Sequence, residues 1–180
     1  MQRIAVTDDV HLSPVTASDK SACMRHFADP EIARHLLRVP FPYTEADADW
    51  WIAHRAEHAR DPETHLAVRS ADGTLIGGIG FAGEDAVPTA PAEIGYWLAS
   101  ECRGRGLMPR VIRAFAKHAF EGFNLGELSA FPFHWNQASC RALEKAGFTR
   151  VGLLPARFRK GDETIDAWDY RLKARDYDPT

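Results

Sequence analysis

Arg103-Gly104-Arg105-Gly106-Leu107-Met108-Pro109 sets two glycines and two arginines just ahead of a stretch with helical periodicity. Glycines let successive backbone N–H groups turn toward an anion, a helix N-terminus adds positive potential, and Pro109 suits a first helical turn. Arg103 and Arg105 carry charge that pairs with phosphate. The Gly-Lys-Ser/Thr ending of a Walker loop is missing, so this is not that kind of nucleotide site. A plain strand-to-helix connection would use the same residue types, and the loop alone does not decide between the two.

Two other strings invite chemistry and fit it less well. Gly78-Ile79-Gly80-Phe81-Ala82-Gly83 matches a dinucleotide fingerprint in its glycines, but that fingerprint must open directly into a helix. Here the loop-like Glu84-Asp85-Ala86-Val87-Pro88-Thr89-Ala90 follows, so the glycines are expected to admit a close neighbour to a strand. His54-Arg55-Ala56-Glu57-His58 places two imidazoles four apart on one helix face, with Glu57 as a base, which is sound spacing for zinc. Nothing among the chain's 8 histidines singles out a third ligand, so no metal is expected. Cys23, Cys102 and Cys140 are odd in number and lack a C-x-x-C spacing, which predicts reduced thiols rather than a disulfide framework.

The background composition narrows the partners. With 22 Lys+Arg against 25 Asp+Glu the formal charge is -3, so any anion site must be local, and neither nucleic acid nor a membrane is an expected partner. Hydrophobic residues at 45% and charged residues at 26% describe an ordinary folding chain. At 180 residues the expectation is a single domain over 1–180. No run approaches the ~20 apolar residues of a membrane span, and Met1–Asp9 lacks the apolar segment of a signal peptide, so a cytoplasmic location is expected.

The elements that must position these residues follow from punctuation and period. His11–Val15 is a short alternating run, Ser18-Asp19 cap a helix over 19–27, and a second short helix after Asp29-Pro30 carries Ile32, Leu36 and Leu37. Thr44 caps a third helix over 45–59 with Glu45 and Asp47 in its first turn. His65–Arg69 and Leu75–Phe81 flank Asp72-Gly73, a strong hairpin signal, and a third strand covers 92–99. From Pro109, Val111, Ile112, Phe115, Ala116, Ala119 and Phe120 recur at helical spacing, opposite Arg110, Arg113, Lys117 and Glu121. A strand at 126–131, a helix at 137–146 and strands at 148–157 and 163–173 complete a mixed α/β domain, with helices packed on a partly antiparallel sheet.

Some 30 residues after the glycine loop comes Asn136-Gln137-Ala138-Ser139-Cys140-Arg141-Ala142-Leu143-Glu144-Lys145-Ala146-Gly147-Phe148. Asn136 is a good N-cap and Gly147 a good residue just past a helix C-terminus, which a well-capped helix explains by itself. Taken with the glycine loop and Glu93-Ile94-Gly95-Tyr96-Trp97-Leu98, however, the chain resembles the GNAT acetyltransferases, in particular the RimJ/RimL-like ribosomal-protein alanine acetyltransferases. The likeness extends to Asp29-Pro30-Glu31-Ile32, Pro40–Thr44, Ala48–Ile52 and Asp166–Tyr170.

This resemblance implies an α+β GNAT fold, a mostly antiparallel central sheet of six to seven strands flanked by helices with a splayed cofactor cleft. It implies acetyl transfer from acetyl-CoA to a primary amine, a protein N-terminus or a small molecule, and leaves a homodimer open. Arg103, Gly104, Arg105, Gly106, Leu107 and Met108 would hold the pyrophosphate, Met108 departing from the small last residue of the family loop. Trp97 and Leu98 would pair through their backbone with the pantetheine, and Asn136 would bond that arm. Glu93 is the candidate base, directly or through water, and Ser139 the candidate acid for the departing thiolate. Tyr43, Trp50, Trp51, Phe133, His134 and Arg157 are candidates to line the acceptor. Two rival classes are an acyl-CoA-binding sensor without catalysis, disfavoured by Glu93, Ser139 and Asn136, and a zinc hydrolase on His54, Glu57 and His58.

Overall fold

A computed structural model describes residues 3–59, 64–82 and 91–178. The described residues form eight strands and five α-helices, in the order β1 (Ile4–Thr7), β2 (Val10–Pro14), α1 (Lys20–Phe27), α2 (Pro30–Ala33), α3 (Glu45–Glu57), β3 (His65–Ser70), β4 (Leu75–Phe81), β5 (Ala92–Leu98), α4 (Leu107–Phe123), β6 (Glu127–Ala130), α5 (Gln137–Lys145), β7 (Thr149–Lys160) and β8 (Glu163–Lys173). They form one mostly antiparallel sheet of order β1-β2-β3-β4-β5-β6-β8-β7. The eighth strand beyond the expected six to seven is β1, a four-residue piece whose Ile4 pairs with Leu12. The loop reading of Glu84–Ala90, with Gly83, lies outside the described residues.

Contacts gather in two compact units, Met1–Gly80 with Tyr96–Leu107, and Phe81–Gly95 with Met108–Thr180. In the first, β1 to β4 are antiparallel neighbours. Cys23, Phe27, Ile32, Ala67 and Leu75 form its core, with Leu36, Tyr43, Trp51 and Trp97 packed against them. Thr44 caps α3 as its sequence predicts, in a reciprocal box with Asp47. By contrast α2 ends at Ala33, so Leu36 and Leu37 lie beyond it, and the stripe expected with Ile32 is not helical. Burial pushes the Cys23 thiol up to about 12, and all three cysteines are unpaired.

A buried ion pair holds this unit's helices to its strands. Asp19, 3% exposed, precedes α1, and Arg69, 9% exposed, lies on β3. The guanidinium donates to both carboxylate oxygens at 2.7 Å. Its remaining donors reach Ser13 Oγ and the carbonyls of Pro14 and Gly73, while Asp19 also accepts from Thr16 N. This is a two-point fork in which both carboxylate oxygens accept and the guanidinium's other donors are met by protein groups, which is what lets a buried charge pair be tolerated.

In the second unit, α4 buries Val111, Ile112, Phe115, Ala116 and Ala119, the face read from its periodicity, and adds His118. Phe81 packs on Phe115 and Phe123. β5 and β6 pair in parallel at Ala92↔Leu128 and Glu93↔Ser129. β8 then pairs antiparallel with both β6 and β7.

Removing one member of the Asp19–Arg69 pair leaves an uncompensated buried charge. Asp19→Ala is expected to cost about 3–5 kcal/mol in urea denaturation. A loss under about 1 kcal/mol would show that water reaches the guanidinium and that the pair is not what joins α1 to β3.

Candidate active site

The glycine loop is built from the end of β5 outward. Trp97 lies against β4 at a distance only glycine allows: a Cβ on Gly77 would stand 2.7 Å from the Trp97 carbonyl oxygen, and one on Gly78 2.6 Å from its indole Nε1. Gly78 therefore serves close approach, as its sequence predicts, and Gly77, outside that string, does the same. The indole packs at 4.8 Å on Phe27 and 5.4 Å on His26. After Ala99, whose amide donates to the Ile76 carbonyl, a single 3-10 turn, Ser100–Cys102, leads into the loop. Ser100 Oγ donates to Asp29, which also accepts from the Glu31 amide. The Ser100 hydroxyl first, and the Glu31 amide second, hold the Asp29 carboxyl below its ordinary range.

Within the loop Arg103 Nε donates to the Leu98 carbonyl at 3.0 Å, folding the arginine back onto the strand end. Gly104 and Gly106 have φ of +77° and +71°, a left-handed conformation that costs other residues roughly 1–2 kcal/mol. A Cβ at either would meet nothing within 4 Å. Their conformation, not crowding, requires glycine, and the space beside them is open. Arg105 is exposed, while Leu107 and Met108 are half-buried in the first turn of α4. First-turn helix amides have no intrahelical acceptor, although here Pro109 has no N–H to offer. An exposed, left-handed turn with two arginines ahead of a helix start is a geometry that can accept an anion.

The other predicted residues lie in the second unit. Glu93 on β5 is half-buried, and its carboxylate stands 3.8 Å from the Arg157 guanidinium. Asn136 caps α5, its Oδ1 accepting from the Ser139 amide at 3.1 Å. Ser139 is half-buried in the first helical turn. Asn136 thus reaches Ser139 through one oxygen, and Glu93 reaches Arg157.

Of the proposed acceptor-lining residues, Tyr43 and Trp51 are core packing in the first unit and Phe133 is buried in the second. Trp50 is 61% exposed and stacks on His54 at 4.9 Å. His134 is exposed, and its backbone amide donates to the Asp166 carbonyl. His54 and His58 do share a face, 4.2 Å apart, but His58 Nδ1 lies 2.8 Å from the His54 carbonyl. Among the described residues no three His, Cys, Asp or Glu are grouped as a metal site.

Sequence reasoning missed a buried polar group on α5 and β8. Tyr170, fully buried, donates to Glu144 at 2.8 Å. Burial pushes its phenol up, the Glu144 bond adding to it, and burial also raises the neighbouring Cys140 thiol. Both stay protonated near neutral pH. Tyr170 sits in the strand alternation where an inward aromatic is ordinary, and no spacing marked its partner.

A family model described as an acetyltransferase (GNAT) domain matches residues 9–149. The chain is 24% identical over 173 residues to an N-acetyltransferase, p20, of Bacillus licheniformis, covering 95% of this chain and 96% of that protein. The ribosomal-protein-S5-alanine acetyltransferase of Vibrio fischeri superposes with a TM-score of 0.83 at 17% identity, over 99% of this chain and 100% of that one. RimJ of Mycobacterium smegmatis, solved in complex with a CoA disulfide, gives 0.76 at 22%, over 92% and 82%.

The cap at Asn136 can be separated from any other role it has. Asn136→Ala removes the acceptor for the Ser139 amide and is expected to lower stability by about 1 kcal/mol in thermal or urea melts. An unchanged midpoint would show that water satisfies that amide equally well.

Proposed function

The chain belongs to the GNAT acetyltransferase family and is an N-acetyltransferase; on that premise we propose that its cosubstrate is acetyl-CoA, held at Arg103–Met108, and its acceptor a primary amine. The left-handed Gly104 and Gly106 beside open space at the start of α4 carry this reading. Trp97 and Leu98 would offer backbone groups to the pantetheine, although the Leu98 carbonyl already accepts from Arg103 and so leaves its second lone pair. Asn136 would contribute its Nδ2, since Oδ1 is committed to the helix. When bound, the cosubstrate supplies an acetyl thioester.

This chain's residues then have two protons to manage. The acceptor amine attacks only when neutral, and Glu93, half-buried at the edge of its strand, would take the proton directly or through water. Ser139 would return a proton to the departing sulfur from the first turn of α5, where the helix dipole also favours a developing negative charge. The relatives named for ribosomal-protein acetylation support a protein N-terminal amine as acceptor, and a small-molecule amine is the second reading. Among the described residues no helix is long and apolar enough to cross a membrane; a cytoplasmic site of action is part of the proposed reading.

Gly106→Glu places a carboxylate in the open space beside the loop and should abolish CoA binding in calorimetry while the protein stays folded; unchanged affinity would refute the site. Ser139→Ala should lower kcat on the order of a hundredfold with little change in CoA affinity, because the contact matters as charge develops on sulfur. Glu93→Gln should depress the rate most at neutral pH and recover in part at alkaline pH, where more amine is already deprotonated. Wild-type rates in the double variant would sink both assignments.

A further inference from the structure

One hairpin irregularity in the second unit aims a charge at Glu93. β7 and β8 keep one register from Gly152↔Asp169 to Leu154↔Ala167 and resume in another at Phe158↔Ile165, so Pro155, Ala156 and Arg157 stand opposite Asp166 alone. Ala156 has φ +50°, a conformation uncommon for a residue with a side chain, and its amide donates to Asp166 Oδ1 at 2.8 Å. Such bulges re-aim a side chain next to active sites. Here the side chain is Arg157, its Cζ 4.6 Å from the Phe131 ring centre and 5.1 Å from that of Phe158.

A second arginine on the same ring gives the comparison. Arg171, 5.4 Å from Phe131, commits its donors to Asp169 through two bonds and to Glu127 through a third. Arg157 makes no hydrogen bond among the described residues; its contact with Glu93, at 3.8 Å, is an ion pair beyond hydrogen-bond length. Its side chain is 41% exposed and that of Glu93 33%. The result is a guanidinium held against two aromatic rings, its donor fork making no hydrogen bond, beside the carboxylate read above as the amine's base. A planar fork of this kind matches a carboxylate in two-point contact.

We propose that Arg157 reads a carboxylate on the acceptor, so that the preferred acceptor carries its reactive amine with an acidic group within one residue of it. The inference rests on the amine-acetylation reading above. The acceptor's two charges replace the internal pair: the amine goes to Glu93 and the carboxylate to Arg157. The same chemistry occurs in a free α-amino acid and in a peptide whose first residue is Asp or Glu.

The test measures acetyl-CoA-dependent CoA release with two matched pairs, alanine against alaninamide and a peptide beginning with Asp against the same peptide beginning with Asn. At least one carboxylate form should be favoured by tenfold or more in kcat/KM, and the pair that shows it names the source. In Arg157→Gln that ratio should fall at least tenfold, with part of it kept in Arg157→Lys, whose charge remains without the fork. Both acceptors of a pair are run on one preparation, so partial unfolding cancels from the ratio. Equal rates within both pairs, or a preference that survives Arg157→Gln, would overturn the proposal and leave amine acetylation standing. No release with any amine would overturn the acetyltransfer reading, and this one with it.

Discussion

The placement of Trp97 on two glycines of β4 is the constraint from which the loop end of the molecule follows. A side chain at Gly77 or Gly78 would collide with the carbonyl or the indole of Trp97. The strand can lie that close only because both positions lack a Cβ. With Trp97 fixed by Phe27 and His26, the Leu98 carbonyl points where Arg103 can donate to it. The left-handed turn through Gly104 and Gly106 then delivers the chain into α4. Backbone packing at one strand thus bears on a loop several residues away.

The arginines divide by what their donors touch. Arg69 and Arg171 are committed to carboxylates inside the protein, Asp19 for the one, Asp169 and Glu127 for the other, and they hold elements together. Arg103 bonds a carbonyl through Nε alone. Arg105 and Arg157 form no hydrogen bond among the described residues, and both stand beside backbone in a conformation that glycine or a bulge is needed to reach. With a formal charge of -3 the chain has no general attraction for anions, so uncommitted guanidinium groups at shaped positions are where such attraction resides.

Much of this was legible in the sequence because the signals are local. Thr44 and Asp47, Asn136, and the spacing from Val111 to Ala119 each fix an element through contacts within a few residues, and the structure has them as read. The glycines of β4 were read as places of close approach, but which residue approaches depends on β5, outside any window of β4. β1 escaped because four residues beside Asp8-Asp9 carry too little period to separate from a turn. The Arg157 bulge escaped for another reason. Pro155-Ala156-Arg157 reads as an ordinary strand end, and the carboxylate that stabilises the bulge, Asp166, belongs to the next strand. The two glycines and two arginines of the loop were visible, yet their left-handed turn depends on a tether from Arg103 that no spacing rule contains.

The bulges of β7 also bear on how this protein lives in a crowded solution. β7 ends the sheet order, so among the described residues one side of its twelve-residue backbone has no strand beside it, and Val151 and Leu153 stand exposed along it. A straight, apolar edge of that length is a template onto which a stranger's strand can be added, the first step of aggregation. The extra residue at Val151 and the excursion through Pro155–Arg157 break the edge into runs of about three regular residues, too short to guide a foreign chain into register. The geometry that presents a guanidinium on one face of the hairpin therefore also keeps its open border from recruiting other molecules.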